Sequence, residues 1–375
     1  MAVAVMNDDL YVVGSAWSDV SEETDLQLDE AVFAACSEAL RTAGIRRHQV
    51  GFSVTSSLDL YDARSISNAL TAPAAAAYLG DEVRVEGDVS SSILLAASHL
   101  VAGNSEFAIV VAVHVPEIAS VDETDIRGLH EHISSYTFDS HIDRPVGMTS
   151  SVTLGLHASS LLDNGTVDWA EMAERTAADI NRGTDRPRGR RGPVSVADVE
   201  KSPMAVAPLT QLMLPASSAG VGALILGLGV SARRCPRPLA RISGWGSATS
   251  RSSSDPRWLT DPGEAAATAR KRAYARASIT DPSTQVGAVE MTDLSPALSP
   301  GLLTALDLDS LPADRVNPSG GVRSSYPGIA NGMLRVIEGI DHLESGKGGA
   351  VVVHAADDLC GLVTATSNVL VLEAP

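Results

Sequence analysis

The sequence predicts an α/β protein made of two similar halves, with an insertion in the first. Strand-like runs rich in β-branched residues alternate with helix-like runs of period 3.6 along the chain, which is typical of α/β architectures. The same alternation starts again near residue 231. We therefore assign residues 1–230 to the N-terminal half, with the insertion at about 118–210, and residues 231–375 to the C-terminal half.

The N-terminal half is predicted to be a compact unit of strands and helices. Its strands have β-branched runs, and its first helix has an amphipathic pattern that ends at a glycine, a frequent helix C-cap. A Gly-Asp-Val-Ser turn marks the change from strand to helix in the fourth segment. In order the segments are LYVVGSAW (10–17), DLQLDEAVFAACSEALRTAG (25–44), VGFSVTSS (50–57), RVEGDVSSSILLAASHLVAG (84–103) and FAIVVAVHVPE (107–117).

The insertion and the C-terminal half follow. From His130 to about Pro215 the pattern predicts helices and basic loops, including RPRGRRG (186–192), and the strand SSAGVGALILGLG closes the first half. His130 and His132 form an HEH pair that we place in a solvent-facing loop rather than at zinc. The second half repeats the strand and helix order with RPLARISGWGSAT (237–249), GEAAATARKRAYARASI (263–279), VGAVEMTD (286–293), a helix at 329–343, and the strands GGAVVVHAA (348–356) and NVLVLEAP (368–375).

Composition excludes several classes of function. A net charge of -18 argues against binding to nucleic acid or to an anionic membrane, both of which depend on clustered Lys and Arg. The longest apolar run, Val221 to Val230, is too short to span a bilayer. The N-terminal segment MAVAVMNDDLYVVG lacks the basic start of a signal peptide, and three widely spaced cysteines form neither a disulfide framework nor a metal site. We expect a cytoplasmic protein without a bound metal.

One glycine-rich stretch stands out: NPSGGVRSSYPGIANG, residues 317–332. Its Pro-Ser-Gly-Gly run breaks a helix, and an apolar helical pattern starts after Tyr326-Pro327. Such loops either turn the chain or bring backbone close to a ligand.

These segments resemble the thiolase superfamily, most closely its sterol-carrier-protein or lipid-transfer-protein type. The resemblance is carried by NPSGG (317–321), VEMTD (289–293), SSAGVGALIL (217–226) and GTVDWAEMAERTAADINRGTDRPRG (165–189). It implies a five-layered αβαβα fold, a dimeric assembly, and coenzyme A thioesters as ligands without a tightly bound cofactor.

The resemblance also implies where thiolase chemistry would lie. A thiolase needs a nucleophilic cysteine, and this position falls on Gly87 or Val89, depending on the register; neither carries a thiol. Thr292 stands at the position of an active-site Asn or His. If one residue is deleted from the loop, Tyr326 stands where the family has the histidine that activates the thiolate; an ungapped alignment puts Pro327 there, and neither restores the histidine. Only Cys360 is at a plausible distance for the second catalytic cysteine. The resemblance therefore predicts a degenerate thiolase site.

Substrate contacts are predicted in two places. The resemblance implies that Asn317, Ser319, Gly320 and Gly321 shape the site. The arginines of the basic loop either contact the phosphates of coenzyme A, for which the guanidinium fork is suited, or are solvated. These arginines are Arg186, Arg188, Arg190 and Arg191.

Three functions remain open at this point. The first is a non-thiolytic subunit in fatty-acyl or steroid side-chain degradation, paired with a second thiolase-like chain or a small zinc-ribbon/OB-fold acyl-CoA-binding protein, as a homo- or heterodimer. The second is a retro-aldolase acting on a β-hydroxyacyl-CoA, with Tyr326 as acid or base and the Asn317 to Gly321 loop shaping the site. The third is a carrier of acyl-CoA or lipid.

Overall fold

The computed structural model describes residues 9–375 except 22, 23, 25, 64, 65, 67, 77–79, 119 and 253. Two predictions fall partly outside the described residues. They concern residues 1–8, which belong to the segment predicted not to be a signal peptide, and Asp25, which starts the first predicted helix. Within the described part, no helix is both long enough and apolar enough to cross a membrane.

Eleven strands are present in the described part of the chain. Nine form one sheet, and β5 and β6 form a separate two-stranded ribbon. The strands are β1 (Leu10–Val20), β2 (Phe52–Ser56), β3 (Asp81–Val85), β4 (Phe107–His114), β5 (Met204–Val206), β6 (Leu209–Thr210), β7 (Ala219–Leu228), β8 (Ala240–Thr249), β9 (Val286–Met291), β10 (Ala350–Ala356) and β11 (Thr366–Glu373).

The helices vary in length, and several contain a single turn. In chain order they are α1 (Leu28–Ala43), α2 (Asp59–Asp62), α3 (Asn68–Ala74), α4 (Val89–Val101), α5 (Glu123–Ser135), α6 (Ser150–Asp163), α7 (Trp169–Gly183), α8 (Val196–Lys201), α9 (Gly229–Arg233), α10 (Glu264–Ala277), α11 (Pro282–Gln285), α12 (Leu298–Leu306), α13 (Gly321–Ser324) and α14 (Asn331–Glu344).

The sheet repeats one strand order on either side of its centre. Its order is β3-β2-β4-β7-β1-β8-β11-β10-β9, and the central strands β1 and β8 pair antiparallel. The first three pairs outward from β1 are antiparallel, antiparallel and parallel, and the three pairs outward from β8 are the same; β3 adds one further parallel pair on the β1 side. This repetition confirms the predicted α/β class with two similar halves. The exact division at residue 230 remains a prediction.

Strand β4 shows why the N-terminal half has uninterrupted apolar runs. Ala108, Val110 and Ala112 pack toward the central helices α4 and α14. Ile109 and Val111 pack toward α1 on the other face. A strand that is buried on both faces has no polar alternation, so its sequence is continuously apolar. The same layering places α4 and α14 between the two halves of the sheet.

The insertion contributes helices α5 to α8 and the β5–β6 ribbon. The sequence predicted helices there, but the placement of His130 and His132 in a loop was wrong, because both lie in α5. Asp122 caps this helix by accepting from the amide of Asp125 at 2.9 Å. Residues two positions apart lie on nearly opposite faces of an α-helix. His132 therefore contacts Tyr136 at the surface, while His130 faces the protein interior.

Candidate active site

A small cavity lies where the insertion meets the start of β7 and the glycine-rich loop. It measures about 30 Å³, room for about two water molecules. Helices α5 and α6 form one wall, and the end of β4 and the Tyr326 segment form the other. Its polar lining consists of His114, Arg127, His130, Glu131, Ser150, Ser151, Ser217, Tyr326 and Asp358.

Tyr326 is held at the cavity by its backbone. Its amide donates to the carbonyl of Ala216 at 2.8 Å, and the amide of Ser218 donates to its carbonyl at 3.0 Å. Its hydroxyl is close to the carboxylate of Asp358, which lines the same cavity. Burial, followed by the charge of Asp358, raises the pKa of Tyr326 well above its usual value. The phenol therefore keeps its proton at neutral pH, next to the carboxylate of Asp358.

His114 borders the same cavity from the end of β4. Burial lowers its pKa to about 3, so the ring is neutral at physiological pH. Its Nδ1 atom is buried and has no hydrogen-bond partner among the described residues. Gly328 lies against the ring with φ +42°, and a Cβ there would come within 2.4 Å of the imidazole. A neutral imidazole with one nitrogen that has no described partner thus borders the cavity.

His130, which also lines the cavity, joins two further side chains. The Tyr61 hydroxyl lies 2.5 Å from His130 Nδ1, and His130 Nε2 lies 3.3 Å from Asp358 Oδ2. The ring of Tyr61 also meets His114 edge-on, with centroids 4.6 Å apart. Asp358 therefore stands between two groups, Tyr326 and His130, and Tyr61 stands behind His130.

The turn before α4 lies close to this network. Asp88 caps α4 by accepting from the amide of Ser90 at 2.9 Å, and it accepts from the amide of Gly332 in α14 at 3.0 Å. Val89, the first residue of α4, is completely buried. Gly87 faces Asp357, whose Oδ2 would lie 3.0 Å from an added Cβ. One carboxylate thus ties together the N-termini of the two central helices, and neither Gly87 nor Val89 offers a nucleophile.

No family model and no curated protein matches the sequence. Solved structures do match it over almost its full length. One, described as "Ltp2-ChsH2(DUF35) aldolase", superposes with a TM-score of 0.76 at 18% identity and covers 98% of both chains. Human mitochondrial 3-ketoacyl-CoA thiolase superposes with a TM-score of 0.77 at 13% identity, covering 98% of this chain and 99% of that one. The chain has a thiolase-like fold.

The thiolase-like fold confirms the expectation drawn from the NPSGG loop, and it allows the predicted site residues to be placed. Tyr326 lines the cavity. Thr292 does not: its hydroxyl accepts from the Asn331 amide at 2.8 Å and lies 3.3 Å from the carbonyl of His354. Cys360 is half-buried, and neither it nor Thr292 is among the residues lining this cavity. Of the three predicted catalytic side chains, the structure brings only Tyr326 to the cavity.

The NPSGG loop of this thiolase-like chain is not part of the cavity lining and covers the edge of β9. The amide of Asn317 donates to the carbonyl of Val289 at 2.8 Å, and its side-chain oxygen accepts from the amide of Met291 at 2.8 Å. Asn317 thus takes up the backbone hydrogen bonds of the edge strand β9 that a neighbouring strand would otherwise make. The role of this loop in substrate binding remains a prediction.

Other loop residues are fixed by buried contacts. The amide and hydroxyl of Ser319 donate to Glu290 at 2.9 and 2.7 Å. Gly320 has φ +90°, and an added Cβ would come within 2.6 Å of the carbonyl of Asp179. Gly321 also has a positive φ, +58°. Glycine is therefore required at both positions by backbone conformation.

The four arginines of the basic loop all contact protein groups. Arg188 pairs with Glu338 at 2.7 Å and with Asp341. Arg190 pairs with Asp19 at 2.9 Å, and Arg191 pairs with Glu123 at 2.5 Å. Arg186 donates to the carbonyl of Pro318 at 3.2 Å. A coenzyme A phosphate would compete with carboxylates for three of them, so their contact with coenzyme A remains a prediction.

The buried carboxyl of Asp88 makes stability depend on pH. Burial raises its pKa to about 7, so between about pH 4 and pH 7 the folded protein holds a proton that the unfolded chain releases. This group therefore lowers the free energy of unfolding by up to about 4 kcal/mol as pH rises through that window. Urea unfolding of wild type and Asp88→Asn at pH 5 and pH 8 checks this. The variant should show the smaller difference between the two pH values, and equal differences would contradict the assignment.

Proposed function

We propose that this thiolase-like chain cleaves the carbon-carbon bond of a β-hydroxyacyl thioester by a retro-aldol reaction. One observation carries the proposal: the cavity brings together a protonated phenol, Tyr326, the nearby carboxylate of Asp358 and the neutral imidazole of His114. Paired groups of this kind move protons to and from a substrate oxygen. The aldolase description of one similar structure supports the same reaction class.

The reaction balances with these groups alone. The β-hydroxyl of the substrate gives its proton to the Tyr326 oxygen while Tyr326 passes its own proton to Asp358. The bond between Cα and Cβ breaks, Cβ becomes the carbonyl carbon of the released product, and the electron pair forms the enolate of the remaining thioester. The proton then returns from Asp358 through Tyr326 to Cα, which yields the shorter acyl thioester and restores the pair. We assign the neutral His114 ring to a substrate oxygen, to which it can donate.

Thiolysis fits this cavity less well. It requires a thiolate that attacks a thioester carbonyl, and no cysteine is among the residues that line the cavity. The helix position that the family resemblance assigns to the nucleophile is occupied by buried Val89 or by Gly87. An aldol cleavage needs no covalent nucleophile, so the same fold can carry it without a cysteine.

We also propose that the chain works with a second protein. The description of the similar aldolase joins two names, Ltp2 and ChsH2(DUF35). A cavity of about 30 Å³ is far smaller than an acyl-CoA, which supports a partner that holds part of the substrate. The partner is either a zinc-ribbon/OB-fold acyl-CoA-binding protein or a second thiolase-like subunit. Coenzyme A is the proposed thioester carrier, and breakdown of fatty-acyl or steroid side chains is the proposed setting.

A substrate panel tests the proposal. The chain, alone and with proteins encoded by neighbouring genes, is incubated with β-hydroxyacyl-CoA thioesters, or with β-ketoacyl-CoA thioesters plus free coenzyme A. We expect acyl-CoA release from the β-hydroxy substrates only. Turnover only of the β-keto substrates would contradict the proposal. Cleavage of neither class would leave a non-catalytic subunit or a carrier, and calorimetry with a long-chain acyl-CoA separates these two, since a carrier must bind it.

A further inference from the structure

We propose that His130, held by Tyr61, is a positioning residue that keeps the carboxylate of Asp358 in place to accept a proton from Tyr326. This inference rests on the proposed retro-aldol function and adds two residues to its machinery. Neither residue was identified as functional from the sequence. Both lie far in sequence from Tyr326 and Asp358, and the fold alone brings the four together.

The three groups come from separate elements. Tyr61 belongs to α2, His130 to α5 in the insertion, and Asp358 to the segment between β10 and β11. The rings of Tyr61 and His130 are nearly parallel, with an interplanar angle of 3°. Only 13% of the His130 side chain and 7% of the Asp358 side chain are exposed. Water therefore competes little for the contacts within this group.

The protonation of Tyr61 decides which atom donates in the hydrogen bond between Tyr61 and His130. Burial and then the nearby charge of Asp358 raise the pKa of Tyr61 well above its usual value, so its hydroxyl keeps its proton. The hydroxyl must therefore donate to His130 Nδ1, 2.5 Å away. In the neutral ring the proton then sits on Nε2, the nitrogen 3.3 Å from Asp358. Tyr61 thus selects the tautomer that presents an N–H to the carboxylate.

The Nε2 atom lies 3.3 Å from Asp358 Oδ2 without the alignment of a hydrogen bond, so its N–H acts on the carboxylate as a nearby dipole. Asp358 must be charged to accept the proton that Tyr326 passes on. Both positive and negative groups surround His130. The effect of the His130 ring on Asp358 therefore has to be separated from the effects of these groups. Besides Tyr61 and Asp358, the titratable and charged groups around it are His114, Asp357, Tyr326, Arg127 and Glu131.

The test uses two variants of His130 and a control on the same helix. His130→Leu removes the N–H donor, and we expect kcat to fall by about 100-fold or more with KM nearly unchanged. The pH profile of kcat should also change, because the ring that lies against the carboxylate is lost. His130→Gln keeps an amide N–H at the Nε2 position and should recover part of the rate. His132→Leu, on the exposed side of α5, should leave both rate and pH profile unchanged.

A spectroscopic measurement separates this inference from the proposed function. The ¹⁵N resonances of His130 report its tautomer without any turnover, and we expect the Nε2–H form in wild type and its loss in Tyr61→Phe. An Nδ1–H tautomer in wild type, or an unchanged pH profile in folded His130→Leu, would overturn the positioning role. Wild type that cleaves no β-hydroxyacyl thioester would instead overturn the proposed function.

Discussion

Replacing Tyr326 by Phe should lower kcat for retro-aldol cleavage by at least about 100-fold, toward the 10²–10⁴-fold range of general acid–base groups. The substitution keeps the ring in its place and removes only the hydroxyl that carries the proton between substrate and Asp358. The backbone contacts of Tyr326 to Ala216 and Ser218 do not involve the side chain, so folding should persist. Steady-state rates and an acyl-CoA binding isotherm for both proteins measure the effect, and the dissociation constant should change little.

A second buried tyrosine gives the matched control. Tyr274 is buried and donates its hydroxyl to the carbonyl of Leu306 at 2.9 Å, yet it is not among the residues of the cavity. Tyr274→Phe removes a hydrogen bond, so it should cost about 1 kcal/mol of stability and leave kcat unchanged. If Tyr326→Phe retained the wild-type rate, the phenol would have no catalytic role.

Replacing Arg323 by Met should destabilise the fold by about 3–5 kcal/mol. Arg323 is completely buried and pairs with Asp179 of α7 at 2.6 Å and with Asp293 after β9. It also donates to the carbonyl of Asp293 at 2.8 Å. Without the guanidinium, two carboxylates remain buried without their shared cation. Because this cation joins the insertion to the glycine-rich loop, its loss should also lower activity.

Urea unfolding measures the effect, and a surface arginine provides the comparison. Arg257 pairs with Asp255 at 2.6 Å, but its side chain is 64% exposed. Arg257→Met should therefore change stability by less than about 1 kcal/mol. Equal effects of the two substitutions would show that the buried contacts of Arg323 contribute no more to the free energy of unfolding than a solvated ion pair does.

The fold was predictable because its signals are local. The runs that form β4 and β7 are continuously apolar, as expected of strands buried on both faces, and the NPSGG loop identified the family likeness. The position of Tyr326 followed from the same loop. The loop's contact with the edge of β9 did not, because an asparagine that serves an edge strand and one that binds a ligand look alike in sequence.

The remainder of the site was not predictable in this way. Tyr61, His130 and Asp358 are widely separated in sequence, and only the packing of α5 against the two halves brings them together. His130 was placed in a loop because α5 is polar over most of its length. A signal was present in the N-cap at Asp122 and in the apolar spacing of Ile126, Leu129 and Ile133, which fall on one face of a helix. That spacing places His130 beside Leu129 and Ile133 on the inward side.

Solvent deuterium tests the central claim most directly. Cleavage of a β-hydroxyacyl-CoA by the chain with its partner is run in D₂O, and the acyl-CoA product is analysed by mass spectrometry. A retro-aldol reaction forms an enolate that takes one proton from the enzyme, so the product should carry one deuterium at Cα, and Tyr326→Phe should form almost none of this product. An acyl-CoA product without deuterium at Cα, or one formed only when free coenzyme A is added, would contradict the account.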